Sequence, residues 1–199
     1  MKNIIVLASG AGTNYQYIVD TINLLKLPIN ISAVICNKPK AGIIDKARNN
    51  NHNLIVKEIN TLNRERYDLE LVSSILNLNV KVDLIILAGW MRILTKAFLS
   101  AFDNIINLHP ALPGKFPGAH AIEEAFKNRE IISCTGVMVH KVIEELDAGE
   151  VLDSIQIPIY NNDTLETLRK RIQLNEKPLL TSGILKSLNL IDIKKENYT

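Results

Sequence analysis

Hydrophobic positions come in short unbroken runs that alternate with helix-spaced segments along this chain. Ile4-Ile5-Val6-Leu7 has no polar interruption, which predicts a strand buried on both faces. Ser9-Gly10-Ala11-Gly12-Thr13 follows, then a helical pattern over 14–25. Ile31-Ser32-Ala33-Val34-Ile35-Cys36 repeats the strand signal, 42–50 reads as a short helix, and Leu54-Ile55-Val56 as a weaker strand. Between Arg64 and Leu78, Leu69, Val72, Ile75 and Leu76 fall at helical spacing. Val82-Asp83-Leu84-Ile85-Ile86-Leu87-Ala88 is the strongest strand signal. A short helix over 96–101 and the strand Asn104-Ile105-Ile106-Asn107 come next.

Strands separated by helices of this length imply right-handed βαβ units. The expected fold is α/β: a doubly wound, mostly parallel, Rossmann-like sheet with helices on both faces. After Pro117 the pattern changes. A helix over 121–128 leads to two strand-like stretches, 133–142 and 151–157, which predict late antiparallel strands. Asp163 with Glu166 has the spacing of a capping box for a final helix that Pro178 interrupts or kinks. No boundary shows, so residues 1–190 read as one domain with a phosphate-binding first half, and 191–199 as a tail.

Composition narrows the function. The 199 residues carry 23 basic and 21 acidic side chains, a net charge of +2 that gives no electrostatic footprint for nucleic acid or an anionic membrane. The early apolar run ends at Ser9-Gly10, too soon for a signal peptide. No apolar stretch approaches the ~20 residues of a membrane-spanning helix. Cys36 and Cys134 are too few for a disulfide framework and fit a reduced compartment. The expectation is a cytoplasmic protein with small-molecule partners.

Two constellations could carry chemistry. The glycine loop, Ser9-Gly10-Ala11-Gly12-Thr13-Asn14, lies where backbone N–H groups and a helix N-terminus favour a phosphate. It lacks the P-loop lysine, and Tyr15 stands where a dinucleotide fingerprint needs a small residue. Further on, Asn107-Leu108-His109-Pro110 places an amide and an imidazole on one side at the carboxyl end of a strand. Together they can donate to one oxygen, in an oxyanion-type arrangement. By itself Glu144-Glu145-Leu146-Asp147-Ala148-Gly149 reads as an acidic turn. No metal-ligand spacing links His52, His109, His120, His140 and the cysteines, so no metal is expected.

These pieces, in this order, resemble the folate-dependent formyltransferases. The likeness runs to about Leu188 and rests on four segments. They are Val6-Leu7-Ala8-Ser9-Gly10-Ala11-Gly12-Thr13-Asn14, Leu87-Ala88-Gly89-Trp90-Met91-Arg92-Ile93-Leu94, Asn107-Leu108-His109-Pro110 with Lys115-Phe116-Pro117-Gly118, and Glu145-Leu146-Asp147-Ala148-Gly149. The resemblance implies that Asn107, His109 and Asp147 are catalytic. Gly12, Thr13 and Asn14 would hold a substrate phosphate, with Gln173 and Glu176 at the ribose and amine end. Arg64, Met91, Arg92, Ile93 and Leu94, with Asn107 and the loop Ile143, Glu144, Glu145, Leu146 and Asp147, would meet the folate. The implied reaction moves a formyl group from 10-formyltetrahydrofolate, a cosubstrate, to the amine of glycinamide ribonucleotide in purine biosynthesis. A protonated His109 beside Asp147 would stabilise the developing oxyanion. The family often has Ser-Leu-Leu-Pro after His-Pro, and here Ala111-Leu112-Pro113-Gly114 stands instead.

Three alternatives fit less of the chain. A methionyl-tRNA formyltransferase carries a further, usually basic, carboxyl-terminal domain, and a formyltetrahydrofolate hydrolase an extra amino-terminal one. Neither accounts for the phosphate loop. A noncatalytic nucleotide-binding α/β module leaves Asp147 and the Asn-x-His pair without a role. Monomer and homodimer are both compatible with the sequence.

Overall fold

From Ile4 to Ala8 every side chain of strand β1 (Lys2–Ala8) is buried, as its unbroken apolar run predicts. The computed structural model describes residues 1–59 and 63–191. Two compact units divide the chain, Met1–Ile105 and the residues from Ile106 onward.

The first unit holds β1, α1 (Thr13–Leu25), β2 (Ile29–Cys36), α2 (Ile43–Asn49), β3 (Leu54–Val56), α3 (Arg64–Leu76), β4 (Leu84–Leu87) and α4 (Lys96–Leu99). β1 pairs in parallel with both β2 and β4, and β2 with β3. The expected face of α3 needs correction. Leu69 and Leu76 are exposed, whereas Tyr67, Asp68, Leu71, Val72 and Ile75 are buried. Val72 and Ile75 lie inside as expected; the stripe is rotated away from Leu69 and Leu76 because it also contains a tyrosine and a carboxylate.

The second unit is built from β5 (Ile105–His109), all but its first residue, α5 (Ala121–Lys127), β6 (Cys134–Lys141), β7 (Val151–Pro158) and α6 (Leu165–Ser187). β5, β6 and β7 pair antiparallel, as the altered grammar after Pro117 implied. The seven-stranded sheet has the order β3-β2-β1-β4-β5-β6-β7, so the α/β class with late antiparallel strands holds.

Two details at α6 differ from expectation. Its N-cap is Thr164, and the box closes with Thr167 rather than between Asp163 and Glu166. Asp163 instead takes a two-pronged bond from Arg171 and the amide of Tyr160, which hold its carboxyl far below the usual range. Pro178 does not interrupt the helix, which runs unbroken through it. The carbonyl of exposed Leu174, which Pro178 cannot bond, can turn to water.

Gly183 is where α6 meets β6. A Cβ there would come within 2.4 Å of Val139 Cγ1 and 2.9 Å of its Cβ. Gly183→Ala should therefore lower stability by roughly 1–3 kcal/mol despite alanine's better helix propensity, read as a shift in the urea midpoint at unchanged slope.

Candidate active site

Alternation along β5 sends Asn107 and His109 to one side, and Asp147 meets both. Asn107 Nδ2 donates to Asp147 Oδ1 at 3.2 Å, and His109 Nδ1 lies 3.4 Å from Asp147 Oδ2. His109 is 4% exposed and the Asp147 side chain 7%, so the three polar groups interact with little water between them. Asp147 sits in the turn between β6 and β7 at φ +52, in the left-handed region. Its carboxylate also takes the Gly118 amide at 2.8 Å, which ties the 110–118 loop to the turn. Burial pushes the Asp147 carboxyl up. His140, the Gly118 amide and His109 outweigh it and hold the group below its ordinary value, so Asp147 is ionised at neutral pH.

His140 is the member that sequence reasoning missed. It pairs with Asn107 across the β5–β6 ladder, and its Nε2 lies 3.3 Å from Asn107 Nδ2 and 3.4 Å from Asp147 Oδ1. Its Nδ1 faces the Lys141 carbonyl at 2.8 Å. A carbonyl only accepts, so Nδ1 carries the hydrogen; Nε2 faces both the Asn107 amide and the Asp147 carboxylate and bonds the carboxylate only when it too carries a hydrogen. The signal that could have found it is the β5–β6 register, which a hairpin over the last two strands alone does not contain.

His109 is caught between two acceptors. Nε2 lies 3.0 Å from the Phe116 carbonyl while Nδ1 faces the Asp147 carboxylate. Either neutral tautomer leaves a lone pair against an oxygen, which favours the cation. Burial is the larger influence and draws the His109 pKa below 6.5, while Asp147 and the Phe116 carbonyl pull it up. The resting imidazole is therefore less readily protonated than the sequence reading supposed.

Ile143, Glu144, Glu145 and Leu146 form the exposed rim of the same turn. Gly149 allows it to close, since a Cβ there would stand 1.9 Å from the Lys141 carbonyl oxygen. Gln173 and Glu176 stand three residues apart on α6, Gln173 exposed and Glu176 half-buried. Ala111 is fully buried, so its methyl group fills a packed position.

The other sequence-derived residues lie in the first unit. Gly12, at φ +72, is the N-cap of α1; no side chain caps that end, and no acidic residue occupies its first turn. Thr13 and Asn14 open the helix. Tyr15, which breaks the dinucleotide pattern, is fully buried, with its hydroxyl 2.6 Å from His52 Nδ1 and its pKa pushed up by burial to about 12. After β4, Ser9 Oγ accepts from the Met91 amide at 2.9 Å, and Arg64 donates to the Ile93 carbonyl at 2.8 Å. Met91 and Ile93 are exposed; Leu94 is buried and Arg92 half-buried.

Among the described residues there is no group of three or more His, Cys, Asp or Glu that could hold a metal ion. No helix among them is long and apolar enough to cross a membrane.

A half-buried amide beside a buried imidazole and carboxylate on an α/β sheet is an arrangement able to stabilise a developing oxyanion, as enzymes of group transfer require. The chain belongs to the formyl transferase family, whose model matches residues 2–184. A Dictyostelium discoideum protein named phosphoribosylglycinamide formyltransferase is 44% identical over 198 residues, covering 92% of this chain and 96% of that one. The Escherichia coli K12 protein of the same name is 36% identical over 178 residues, covering 87% and 81%. The crystal structure of phosphoribosylglycinamide formyltransferase from Bacillus halodurans matches with a TM-score of 0.87 at 30% identity, each chain covered in full.

Proposed function

We propose that this enzyme transfers the formyl group of 10-formyltetrahydrofolate to the amine of glycinamide ribonucleotide, giving formylglycinamide ribonucleotide in purine biosynthesis. The observation that carries the reading is the ionised, buried Asp147 joined to both Asn107 and His109. Attack of the amine on the formyl carbon puts negative charge on the formyl oxygen, which Asn107 and a charged His109 would stabilise. Once Phe116 releases Nε2, the tautomer with Nδ1–H toward Asp147 offers a free lone pair. That lone pair can take the proton shed by the amine and pass it to the leaving folate nitrogen. The resulting imidazolium lies against Asp147, so the charge forms where a counter-charge already waits. The folate is a cosubstrate that carries the one-carbon unit, and the protein supplies position and field.

In this reading the uncapped start of α1, with Gly12, Thr13 and Asn14, takes the substrate phosphate. Gln173 and Glu176 take its ribose and amine end. Arg64 and residues 91–94, with 143–147, take the folate. Residues 1–190 act as one formyltransferase domain followed by a tail at 191–199, of which only Ile191 lies among the described residues. The enzyme works in the cytoplasm as a monomer or homodimer, needs no metal, and has neither nucleic acid nor membrane as partner. An absorbance assay of 10-formyltetrahydrofolate with and without glycinamide ribonucleotide tests the reaction. Turnover is expected only with the nucleotide. Equal turnover without it would identify a hydrolase and reject the transfer.

A further inference from the structure

The segment after β4 is held from beneath by α3 in an unusual way. Asp68 is fully buried, and its Oδ2 accepts the Thr95 amide at 2.7 Å. One turn of α3 also supplies Tyr67, fully buried, whose ring lies under the Arg92 guanidinium at 4.3 Å from the ring centroid. The Tyr67 hydroxyl donates to the Lys57 carbonyl at 2.6 Å, which fixes the ring. Burial, with Asp68 close by, pushes the Tyr67 hydroxyl up to about 12 against the pull of Arg92, so it stays a donor. Arg92 and Leu94 thus point inward while Met91 and Ile93 point out, the alternation of an extended strip.

Other bonds do not saturate this interior. Asp68 Oδ1, Trp90 Nε1, Arg92 Nε and Nη2, and Thr95 Oγ1 are buried without a hydrogen-bond partner among the described residues. A segment with that many unmet polar atoms has alternatives close in energy. What selects one backbone path is the Asp68–Thr95 bond and the Arg92–Tyr67 stack.

We infer that Asp68 is a positioning residue for formyl-folate binding, which sets residues 91–94 through the Thr95 amide, with Arg92 on Tyr67 as the strut between. Arg92 then serves the folate site by holding the strip rather than by offering its guanidinium. The inference rests on reading residues 91–94 as the folate segment. A displacement of about 1 Å in such a strip is enough to cost roughly tenfold or more in use of the ligand that it contacts.

Trp90, the only tryptophan of the chain and buried at the start of the strip, reports on this directly. In ligand-free Asp68→Ala, acrylamide quenching of Trp90 should rise about threefold, since local opening exposes the indole. The KM for 10-formyltetrahydrofolate should rise about tenfold, with kcat and the KM for glycinamide ribonucleotide within about twofold of the parent. Asp68→Asn keeps an oxygen for the Thr95 amide and should restore most of both effects. Where Asp68→Ala does not fold, Tyr67→Leu removes the ring that Arg92 stacks on without orphaning a buried carboxylate and should show the same split. Parent-like quenching together with a parent-like folate KM would overturn the inference, as would an equal rise in both KM values. Released Trp90 with an unchanged folate KM would overturn the link to folate. Quenching needs no substrate, so absence of transfer in the parent would count against the proposed reaction and leave the clamp to be judged by Trp90.

Discussion

Asp147→Asn should reduce kcat/KM by roughly 10³-fold, the scale of losing one preorganised charge at a developing oxyanion, with little change in substrate binding. Asparagine is the informative replacement because it tolerates the left-handed φ of +52 that Asp147 adopts, so the turn survives. It retains an oxygen for one of the two donors, Gly118 or Asn107, and removes the charge together with the other acceptor. Asp147 pulls the His109 pKa up against burial, so in the variant that pKa should fall further below 6.5. NMR titration of the His109 ring decides this. An unchanged or raised value would reduce Asp147 to a turn residue or a proton carrier.

The same shifts have a signature in stability. The folded-state pKa of His109 is depressed, so near and below pH 6.5 the unfolded chain takes the proton first. Its contribution is full above that range and lost as pH falls toward the folded value. In Asp147→Asn the loss should continue to lower pH, because the folded value is lower still. The Asp147 carboxyl, also depressed, contributes stability above its ordinary 3.8 and loses it as pH falls through the folded pKa. The stability gap between parent and variant should therefore widen below pH 6.5, where the variant goes on losing after the parent has stopped, and begin to narrow below pH 3.8, which urea midpoints from pH 8 to pH 3 would measure.

Much of this architecture was legible because parallel strands buried on both faces leave unbroken apolar runs, as the cores of β1 and β4 do. The Asn107–His109 pairing followed from strand alternation alone. Asp147 did not: its residues spell an ordinary turn, and only the resemblance raised it. His140 and Asp68 were missed for a shared reason. Each is a polar residue at a buried position, selected by a tertiary partner that local pattern does not encode. The α3 face shows the same failure, since Tyr67 and Asp68 replace apolar residues on the stripe that packs inward. At α6 a one-residue shift from Asp163 to Thr164 came from two competing caps, and the Asp163–Arg171 pair decided it.

Gly10→Val should raise the KM for glycinamide ribonucleotide roughly 10- to 100-fold, the equivalent of one or two lost charge-assisted N–H bonds, and leave the folate KM near the parent value. Gly12 is the more obvious target in the phosphate loop, yet the structure makes it a poor one. A Cβ on Gly12 would lie 2.7 Å from Ile43 Cβ and 2.8 Å from Ile43 Cα, and its φ of +72 strains any β-branched residue. Gly12→Val should therefore displace the start of α2 and lower stability, confusing binding with folding. Gly10 has neither problem. Its φ lies outside the left-handed region, and a Cβ there would meet nothing within 4 Å. That open space lies in the loop leading into α1, whose N-cap glycine offers no capping side chain and whose N-terminal field favours a phosphate. A valine in it obstructs the ligand and spares the fold. Steady-state kinetics with each substrate varied, beside a melting curve for each variant, separates the two cases. Equal rises in both KM values for Gly10→Val, at a parent-like Tm, would remove the phosphate from this loop.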